Sequence, residues 1–340
     1  MADAANEPAV DAIASLVPAT LRALHALEFA ARHLSPTTLP ELITALAKRD
    51  DDVGTALAVS RATDWPERLV PVRTALEQAA ETAAEGIAGL LAASEAPQPI
   101  IAAYRSLRAY ARAAEAIYPM AAHLRPVSQF FLEPDARGDT GLAEQLAAVD
   151  PLREDVGVMH IGGPAGSRGN FSLYVPEYYD AARSWPLVVA MHGGSGNGGG
   201  FLWSWVREAR TRGLVVIAPT AIGSTWSLME PDVDGPSIDR MIEHVADQWN
   251  IDPARKLATG MSDGGTFTYV LGLSGSNQFT HLAPVAAAFH PMMMTFADPD
   301  RVRGLPIHIV HGAQDWMFSA AMAREAERTL QQAGAAVVYR

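Results

Sequence analysis

The pattern that carries most chemistry in this chain is Gly260-Met261-Ser262-Asp263-Gly264, a serine with a glycine two residues away on either side. It follows a strand-like run and precedes a helix-like one. A serine at such a sharp strand-to-helix turn projects its hydroxyl above the sheet edge, where it can act as a nucleophile. The turn also points the amide of Asp263 at the place where an oxyanion forms in acyl transfer. The spacing therefore predicts a serine nucleophile with one oxyanion donor beside it.

A second oxyanion donor is expected from a loop after another strand. His192, Gly193 and Gly194 follow the predicted strand Leu187–Met191 and lead into the glycine-rich segment 195–200. Small residues let a backbone amide approach a bound carbonyl, so this loop suits such a donor, and Gly193 is expected to border the substrate. We expect His192 to shape the loop rather than to act as a base.

An acidic residue completes the pattern. Asp315 stands four residues after His311, just behind the predicted strand Ile307–Val310. A carboxylate in this place can orient a histidine and stabilise its charged form, whereas His311 itself is expected to be structural. The alternative is that Asp315 only caps a helix starting near Phe318. Its position after Ser262 in the chain, behind a different strand, favours the catalytic interpretation.

Apolar residues follow two of the same strand ends. His290 ends the predicted strand Leu282–Phe289, so it either faces the site or is a buried core histidine. Methionine fills irregular gaps readily, which suits an adaptable substrate pocket, although ordinary core packing explains the same pattern. The residues concerned are Met292, Met293, Met294, Trp316 and Met317.

Two other kinds of site are weighed and rejected. The segment 194–199 satisfies G-x-G-x-x-G, but a dinucleotide site needs an acidic residue closing the next strand, which here ends in Pro219-Thr220. The 10 histidines are scattered without an H-E-x-x-H, and there is no cysteine, so neither a metal nor a cofactor is expected.

An α/β half must position these groups. Short apolar strands alternate with helices near 200–211, 236–249, 263–273 and 317–333, which predicts a mostly parallel sheet covered by helices on both faces. Sites in such sheets form at the carboxyl ends of the strands. The predicted strands are Val158–Ile161, Phe171–Val175, Leu187–Met191, Leu214–Ala218, Lys256–Thr259, Leu282–Phe289, Ile307–Val310 and Ala335–Tyr339.

Residues 1–125 have a different pattern of apolar residues. They are rich in alanine, and their apolar residues recur at helical spacing, which predicts an all-α N-terminal domain. The segments 38–41 and 64–67 each place a cap residue three before a glutamate, with proline in the first turn. We expect this domain to pack on another domain or subunit. Residues 126–155 are predicted as a linker with a short helix near 141–148, and 156–340 as the catalytic domain.

Composition limits the partners. The net charge of -12 argues against a nucleic-acid groove. The start of the chain shows no signal peptide, and no run approaches 18 apolar residues, so no membrane span and a cytoplasmic location are expected.

With these residues in hand, the half from 158 to 340 resembles the α/β-hydrolase superfamily, and within it the polyhydroxybutyrate depolymerases, feruloyl esterases and phospholipase/carboxylesterases. The resemblance implies Ser262 as nucleophile, Asp315 as triad acid, and the amides of Gly194 and Asp263 as oxyanion hole. It also implies hydrolysis of a small-molecule carboxylic ester through an acyl-enzyme. The matching stretches are 173–177, 186–194, 251–255 with the serine motif, and 311–315.

One departure from the family concerns the general base. The family's catalytic histidine follows the acid, in the loop after the last strand, whereas no histidine occurs here beyond His311. We expect this base to lie beyond Arg340 in a longer protein, and the chain as given to have little activity. Three alternatives remain: a phospholipase or thioesterase, a serine peptidase of the same fold, and an inactive scaffold that acts as an interaction module.

Overall fold

The computed structural model describes residues 7–48, 52–229, 231–275 and 277–340. It divides the chain into two compact units, with the division between Arg137 and Gly138. The predicted linker 126–155 contains most of one helix in the first unit, Arg125–Phe130, and a whole helix in the second, Thr140–Ala147. Pro126 occupies the first turn of the helix Arg125–Phe130, where the N–H that proline lacks would have no partner within the helix. Asp139 caps the helix Thr140–Ala147 by accepting a hydrogen bond from the amide of Leu142.

The N-terminal unit is built from helices, as its alanine-rich periodicity predicts. They are α1 Glu7–His33, α2 Leu39–Ala47, α3 Val53–Ala62, α4 Val70–Leu91, α5 Pro99–Ile117 and α6 Arg125–Phe130. Small residues let these helices approach closely. A Cβ atom on Gly86 of α4 would lie only 2.6 Å from Cβ of Ala109 in α5, so the two helices meet backbone to backbone at this position.

Two local expectations for this unit are wrong. Thr38 precedes α2 without capping it, because its hydroxyl donates instead to the carbonyl of His33. The segment 64–67 leads into a 3₁₀ turn, Glu67–Leu69, before α4 begins at Val70, so Asp64 is not the cap residue. The proline signal holds for α2, where Pro40 is in the first turn, whereas Pro66 precedes the 3₁₀ turn and Pro71 is in the first turn of α4.

Helix α1 is long and apolar enough to cross a membrane by length and composition, with a mean hydropathy of 1.3 over its most apolar window. The expectation that the chain has no membrane span stays a prediction, because one such helix is weak evidence for a span. In the structure 56% of that window is buried, and a buried core helix has the same properties. Its buried side chains include Leu16, Leu24 and Leu27.

The C-terminal unit contains an eight-stranded sheet in the order β1-β2-β4-β3-β5-β6-β7-β8. Only β1 with β2 and β2 with β4 pair antiparallel, so the predicted mostly parallel sheet with helices on both faces is confirmed. The strands are β1 Gly157–Ile161, β2 Phe171–Val175, β3 Trp185–Met191, β4 Val215–Pro219, β5 Ile251–Met261, β6 His281–Val285, β7 Pro306–Ile309 and β8 Ala336–Tyr339. The helices are α7 Thr140–Ala147, α8 Gly198–Leu202, α9 Val206–Arg212, α10 Asp234–Gln248, α11 Asp263–Leu273, α12 Pro299–Val302 and α13 Ala320–Gln332.

Strand β6 is shorter than predicted. It ends at Val285 because Ala286 takes a left-handed conformation, with φ of +46°, and donates its amide to the carbonyl of Val310. The apolar run continues to Phe289, but as core packing rather than as strand. His290 therefore does not end a strand.

The carboxyl ends of β5 to β8 are aligned along one edge of the sheet. The amide of Ser262 donates to the carbonyl of Val285, the last residue of β6, and Val285 forms a β-bridge with Val310, the residue after β7. One residue further, the backbone amide of His311 donates to the carbonyl of Arg340, the residue after β8. Loops that follow different strands are thereby brought to one edge, which is where the sequence places the candidate site.

Candidate active site

Ser262 occupies a strained turn between β5 and α11. Its φ of +57° and ψ of −120° lie in a region that residues other than glycine rarely adopt. The surroundings hold it there. Its amide donates to Val285 at 2.9 Å, and its carbonyl accepts from Thr266 at 2.9 Å. A serine kept in such a conformation by two backbone bonds is the feature that the sequence motif predicts.

The glycines around this serine are required by close backbone contacts. A Cβ on Gly260 would lie 2.4 Å from the backbone of Gly264, and a Cβ on Gly264 would lie 2.2 Å from the carbonyl oxygen of Met191 in β3. Gly265 is equally confined, with 2.8 Å to the carbonyl oxygen of Val285. The motif therefore lets α11 start directly against β3 and β5.

The glycine loop after β3 lies beside the serine. A Cβ on Gly193 would be 3.5 Å from Cβ of Ser262, and a Cβ on Gly194 would be 2.6 Å from Oδ2 of Asp263. Among the residues that the structure describes, none accepts a hydrogen bond from the amide of Gly194 or of Asp263. Two unengaged backbone donors thus flank the serine, an arrangement that can receive the oxygen of a bound carbonyl.

His192 stabilises this loop from within the core. Its Nδ1 donates to the carbonyl of Gly193 at 2.7 Å, and its Nε2 accepts from the amide of Ala221 at 3.2 Å. Only the neutral imidazole can donate from one nitrogen and accept at the other. Burial lowers the pKa of His192, which favours this neutral form. Its ring also lies 4.8 Å from that of Trp226. With both nitrogens engaged, His192 has no free site to accept a proton from the serine.

Sequence reasoning missed the loop after β4, which contacts both sides of the candidate site. The hydroxyl of Thr225 donates to Oδ2 of Asp263 at 2.6 Å, and the indole of Trp226 donates to the carbonyl of His192 at 2.7 Å. The carbonyl of Ser224 accepts from the amide of Ser195 at 3.2 Å. None of these residues belongs to a motif, so no signal in the sequence marks them.

A buried carboxylate holds the loop after β4 in shape. Asp234, at the start of α10, is 2% exposed and accepts from the amide of Ile222 at 2.8 Å. Its other oxygen accepts from the amide of Ser227 at 2.8 Å and from the hydroxyl of the same residue at 2.7 Å. Three donors satisfy the buried charge, and the bonds fix both ends of the segment 222–227.

Asp315 lies in a tight turn after β7, close to a buried histidine. Its Oδ1 accepts from the amides of Met317 and Phe318, at 2.8 and 3.0 Å, and its Oδ2 lies 3.6 Å from Nε2 of His311. It therefore caps this turn and not α13, which begins later, at Ala320. His311 donates Nε2 to the carbonyl of Phe318 at 2.8 Å, and its side chain is buried, which agrees with a structural role.

His290 is exposed, so the expectation of a buried core histidine is wrong. Its Nδ1 accepts from the amide of Met292 at 3.1 Å, which requires the proton of the neutral ring to be on Nε2. In this tautomer the outward nitrogen cannot take a proton. No described histidine contact reaches the hydroxyl of Ser262, so the structure does not assign the general base to His192, His290 or His311.

Large apolar side chains are exposed on loops at the same sheet edge. Met292 is 62% exposed and Trp316 is 49% exposed, on the loops after β6 and β7. Met317 and Phe296 are exposed on these loops as well, whereas Met293 and Met294 pack partly against the core. Met292 and Met317 are therefore free to line a substrate pocket, whereas Met293 and Met294 contribute to core packing.

Comparisons with known proteins agree with this architecture. No family model matches the chain. Feruloyl esterase C of Emericella nidulans is 29% identical over 116 residues, which are 32% of this chain and 43% of that protein. A probable feruloyl esterase C of Aspergillus terreus is 30% identical over 130 residues, 36% of this chain and 46% of that protein. The chain thus spans less than half the length of these relatives.

Solved structures of esterases are more distant. A thermostable esterase has a TM-score of 0.44 and 24% identity, covering 55% of this chain and 54% of its own. Acetyl xylan esterase from Aspergillus awamori has a TM-score of 0.41 and 18% identity, covering 49% of this chain and 76% of its own. These likenesses are too weak to carry an argument. The sheet order, the serine turn and the sequence relatives together identify the C-terminal unit as an α/β-hydrolase fold similar to feruloyl esterases.

Proposed function

We propose that this protein is a serine hydrolase that cleaves carboxylic esters through an acyl-enzyme. The observation that carries the proposal is the strained turn at Ser262, flanked by the unengaged amides of Gly194 and Asp263. A strained backbone persists only where the surrounding structure holds it, and such strain clusters at active sites. The named activity of the sequence relatives, feruloyl esterase, supports the same chemistry.

In the proposed reaction, the Oγ of Ser262 attacks the ester carbonyl and transfers its proton to a general base. The amides of Gly194 and Asp263 donate to the oxyanion of the tetrahedral intermediate. The base returns the proton to the leaving alcohol, and water then hydrolyses the acyl-serine by the same steps. Asp315 is proposed to orient the base through Oδ2, since its Oδ1 is engaged by two backbone amides.

The substrate is proposed to be a small ester with an apolar or aromatic acyl group. Trp316 and Met292 expose apolar surface on two loops at the proposed site, which suits such a group better than a charged one. Removal of Trp316 or Met292 should shift the preference among p-nitrophenyl esters of graded chain length. An unchanged profile would mean that these residues only cover the core.

Two further features stay predictions. The N-terminal helical unit is proposed to contact another domain or a second subunit, and the protein is proposed to work in the cytoplasm. Size-exclusion chromatography with light scattering tests the first, and fractionation of cells tests the second.

The proposal is tested by hydrolysis of p-nitrophenyl butyrate by the complete protein, in which the general base is expected to be present, and by its Ser262→Ala variant. We expect the variant to fold and to lose turnover, since losing one triad member leaves only a residual ~10³–10⁴-fold rate over water. Turnover in the variant at the unaltered rate would refute the assignment. His290→Ala is the matched control, and it should retain whatever turnover the chain has.

A further inference from the structure

The residue after the candidate nucleophile, Asp263, carries a carboxylate, and this carboxylate packs against Gly194. Oδ2 of Asp263 accepts from the hydroxyl of Thr225 at 2.6 Å. The same oxygen would be 2.6 Å from a Cβ atom on Gly194, so it lies directly over the Cα of that glycine. The amide of Gly194 is one of the two proposed oxyanion donors. A carboxylate held by Thr225 thus lies beside a glycine whose amide is a proposed oxyanion donor.

This charge has few partners to neutralise it. Its contact with Thr225 comes from a neutral hydroxyl, and no salt bridge involves Asp263 among the residues described. Asp263 is partly exposed and begins α11, where the helix dipole favours an anion. The carboxylate therefore remains available to act on a charged group brought in by a substrate.

One cation, Arg168, contacts the same loop from an earlier part of the chain. Arg168 donates through Nη1 to the carbonyls of Gly196 and Ala221, at 3.4 and 3.5 Å. Arg168 is exposed, and water screens its charge more than that of a partly buried carboxylate. Asp263, by contrast, directly follows Ser262 in the chain.

We propose that Asp263 is a specificity-determining residue whose fixed negative charge makes the site select neutral esters over esters with an anionic acyl group. The inference rests on the proposed ester hydrolysis at Ser262. Two like charges about 6 Å apart repel one another enough to change a rate by a factor of about 3 in water and about 100 at the dielectric of a protein surface. An anionic acyl group is disfavoured both on binding and as the oxyanion develops.

The test compares two substrates that differ only in charge, p-nitrophenyl hydrogen adipate and its methyl ester. The quantity measured is the ratio of kcat/KM for the neutral ester to kcat/KM for the anionic one. We expect a ratio well above that of the uncatalysed reaction for the full chain. Asp263→Asn keeps the shape and an oxygen for Thr225 but removes the charge, so the ratio should fall by a factor of about 3 to about 100.

Two variants control for position and for structure. Thr225→Val removes the hydrogen bond and keeps the carboxylate, so the ratio should stay high even where both rates fall. Arg168→Gln removes the cation, so the ratio should rise or stay the same. If Asp263→Asn should fold poorly, Asp263→Ser removes the same charge with a smaller side chain, and circular dichroism checks both variants.

The outcomes separate this inference from the proposed function. If Ser262→Ala loses turnover but Asp263→Asn leaves the ratio unchanged, the proposed ester hydrolysis stands and the proposed selectivity is overturned. A preference for the anionic ester that Arg168→Gln abolishes would also overturn it. Turnover that survives Ser262→Ala would refute the proposed function and the selectivity together. A ratio that falls in Asp263→Asn and holds in Thr225→Val supports the inference.

Discussion

Gly194 and Asp263 lie against one another although they follow different strands, Gly194 in the loop after β3 and Asp263 at the start of α11. A Cβ atom on Gly194 would lie 2.6 Å from Oδ2 of Asp263 and 3.3 Å from its Cγ. The contact explains in physical terms why position 194 needs a glycine: a side chain there would displace either the carboxylate or the loop that carries the amide. It joins the two proposed oxyanion donors into one unit.

Gly194→Ala is therefore expected to reduce ester hydrolysis strongly. Losing one oxyanion donor costs ~10²–10³ in kcat, and the displaced loop no longer presents its amide. Gly200→Ala is the matched control, since Gly200 lies in α8 and its Cβ would be no closer than 3.5 Å to its neighbours, an ordinary contact. Steady-state kinetics of both variants check this. A Gly194→Ala enzyme as active as Gly200→Ala would show that the donor lies elsewhere in the loop.

The strained turn at Ser262 gives a prediction about stability rather than activity. Glycine adopts a φ of +57° without the penalty that a side chain incurs, which is of order 1–3 kcal/mol. Both Ser262→Ala and Ser262→Gly should lose the proposed reaction, but Ser262→Gly should be the more stable of the two. Urea unfolding measures the difference, and an Ser262→Ala variant at least as stable as Ser262→Gly would contradict the strain.

The buried carboxylate of Asp234 is expected to contribute strongly to the stability of the C-terminal unit. Asp234→Ala leaves the donors of Ile222 and Ser227 without their acceptor, and an unsatisfied buried group costs about 1–3 kcal/mol. The control is Asp232→Ala, an exposed aspartate nearby that accepts only from the amide of Gly235. Denaturant unfolding should show a decrease in the free energy of unfolding that is several times larger for Asp234→Ala than for Asp232→Ala. Equal decreases would contradict the proposal that Asp234 holds the loop after β4 in shape.

The lowered pKa of His192 predicts how stability depends on pH. Burial keeps the folded ring neutral, so between its lowered pKa and the ordinary value of about 6.5 the unfolded chain binds the extra proton. Stability should accordingly rise with pH up to about 6.5 and be lost as the pH falls below that value. His192→Asn should flatten the pH dependence of the melting temperature between about pH 5 and pH 7. An equally steep dependence in that variant would assign the effect to other groups.

The sequence predicted what is encoded locally and missed what is not. The serine turn and the strands follow from glycine spacing and apolar runs, which act over a few residues. The bond from Thr225 to Asp263 joins residues 38 positions apart and belongs to no motif, so only the fold reveals it. The placement of His290 failed because Ala286 turns left-handed in the middle of an apolar run, which composition does not show.

The central claim is that Ser262 is the nucleophile, and covalent labelling tests it most directly. The complete protein and its Ser262→Ala variant are treated with a fluorophosphonate probe, and the modified peptide is identified by mass spectrometry. We predict one adduct, on the peptide that contains Ser262, and none in the Ser262→Ala variant. An adduct on another serine, or the same labelling in Ser262→Ala, would contradict the account.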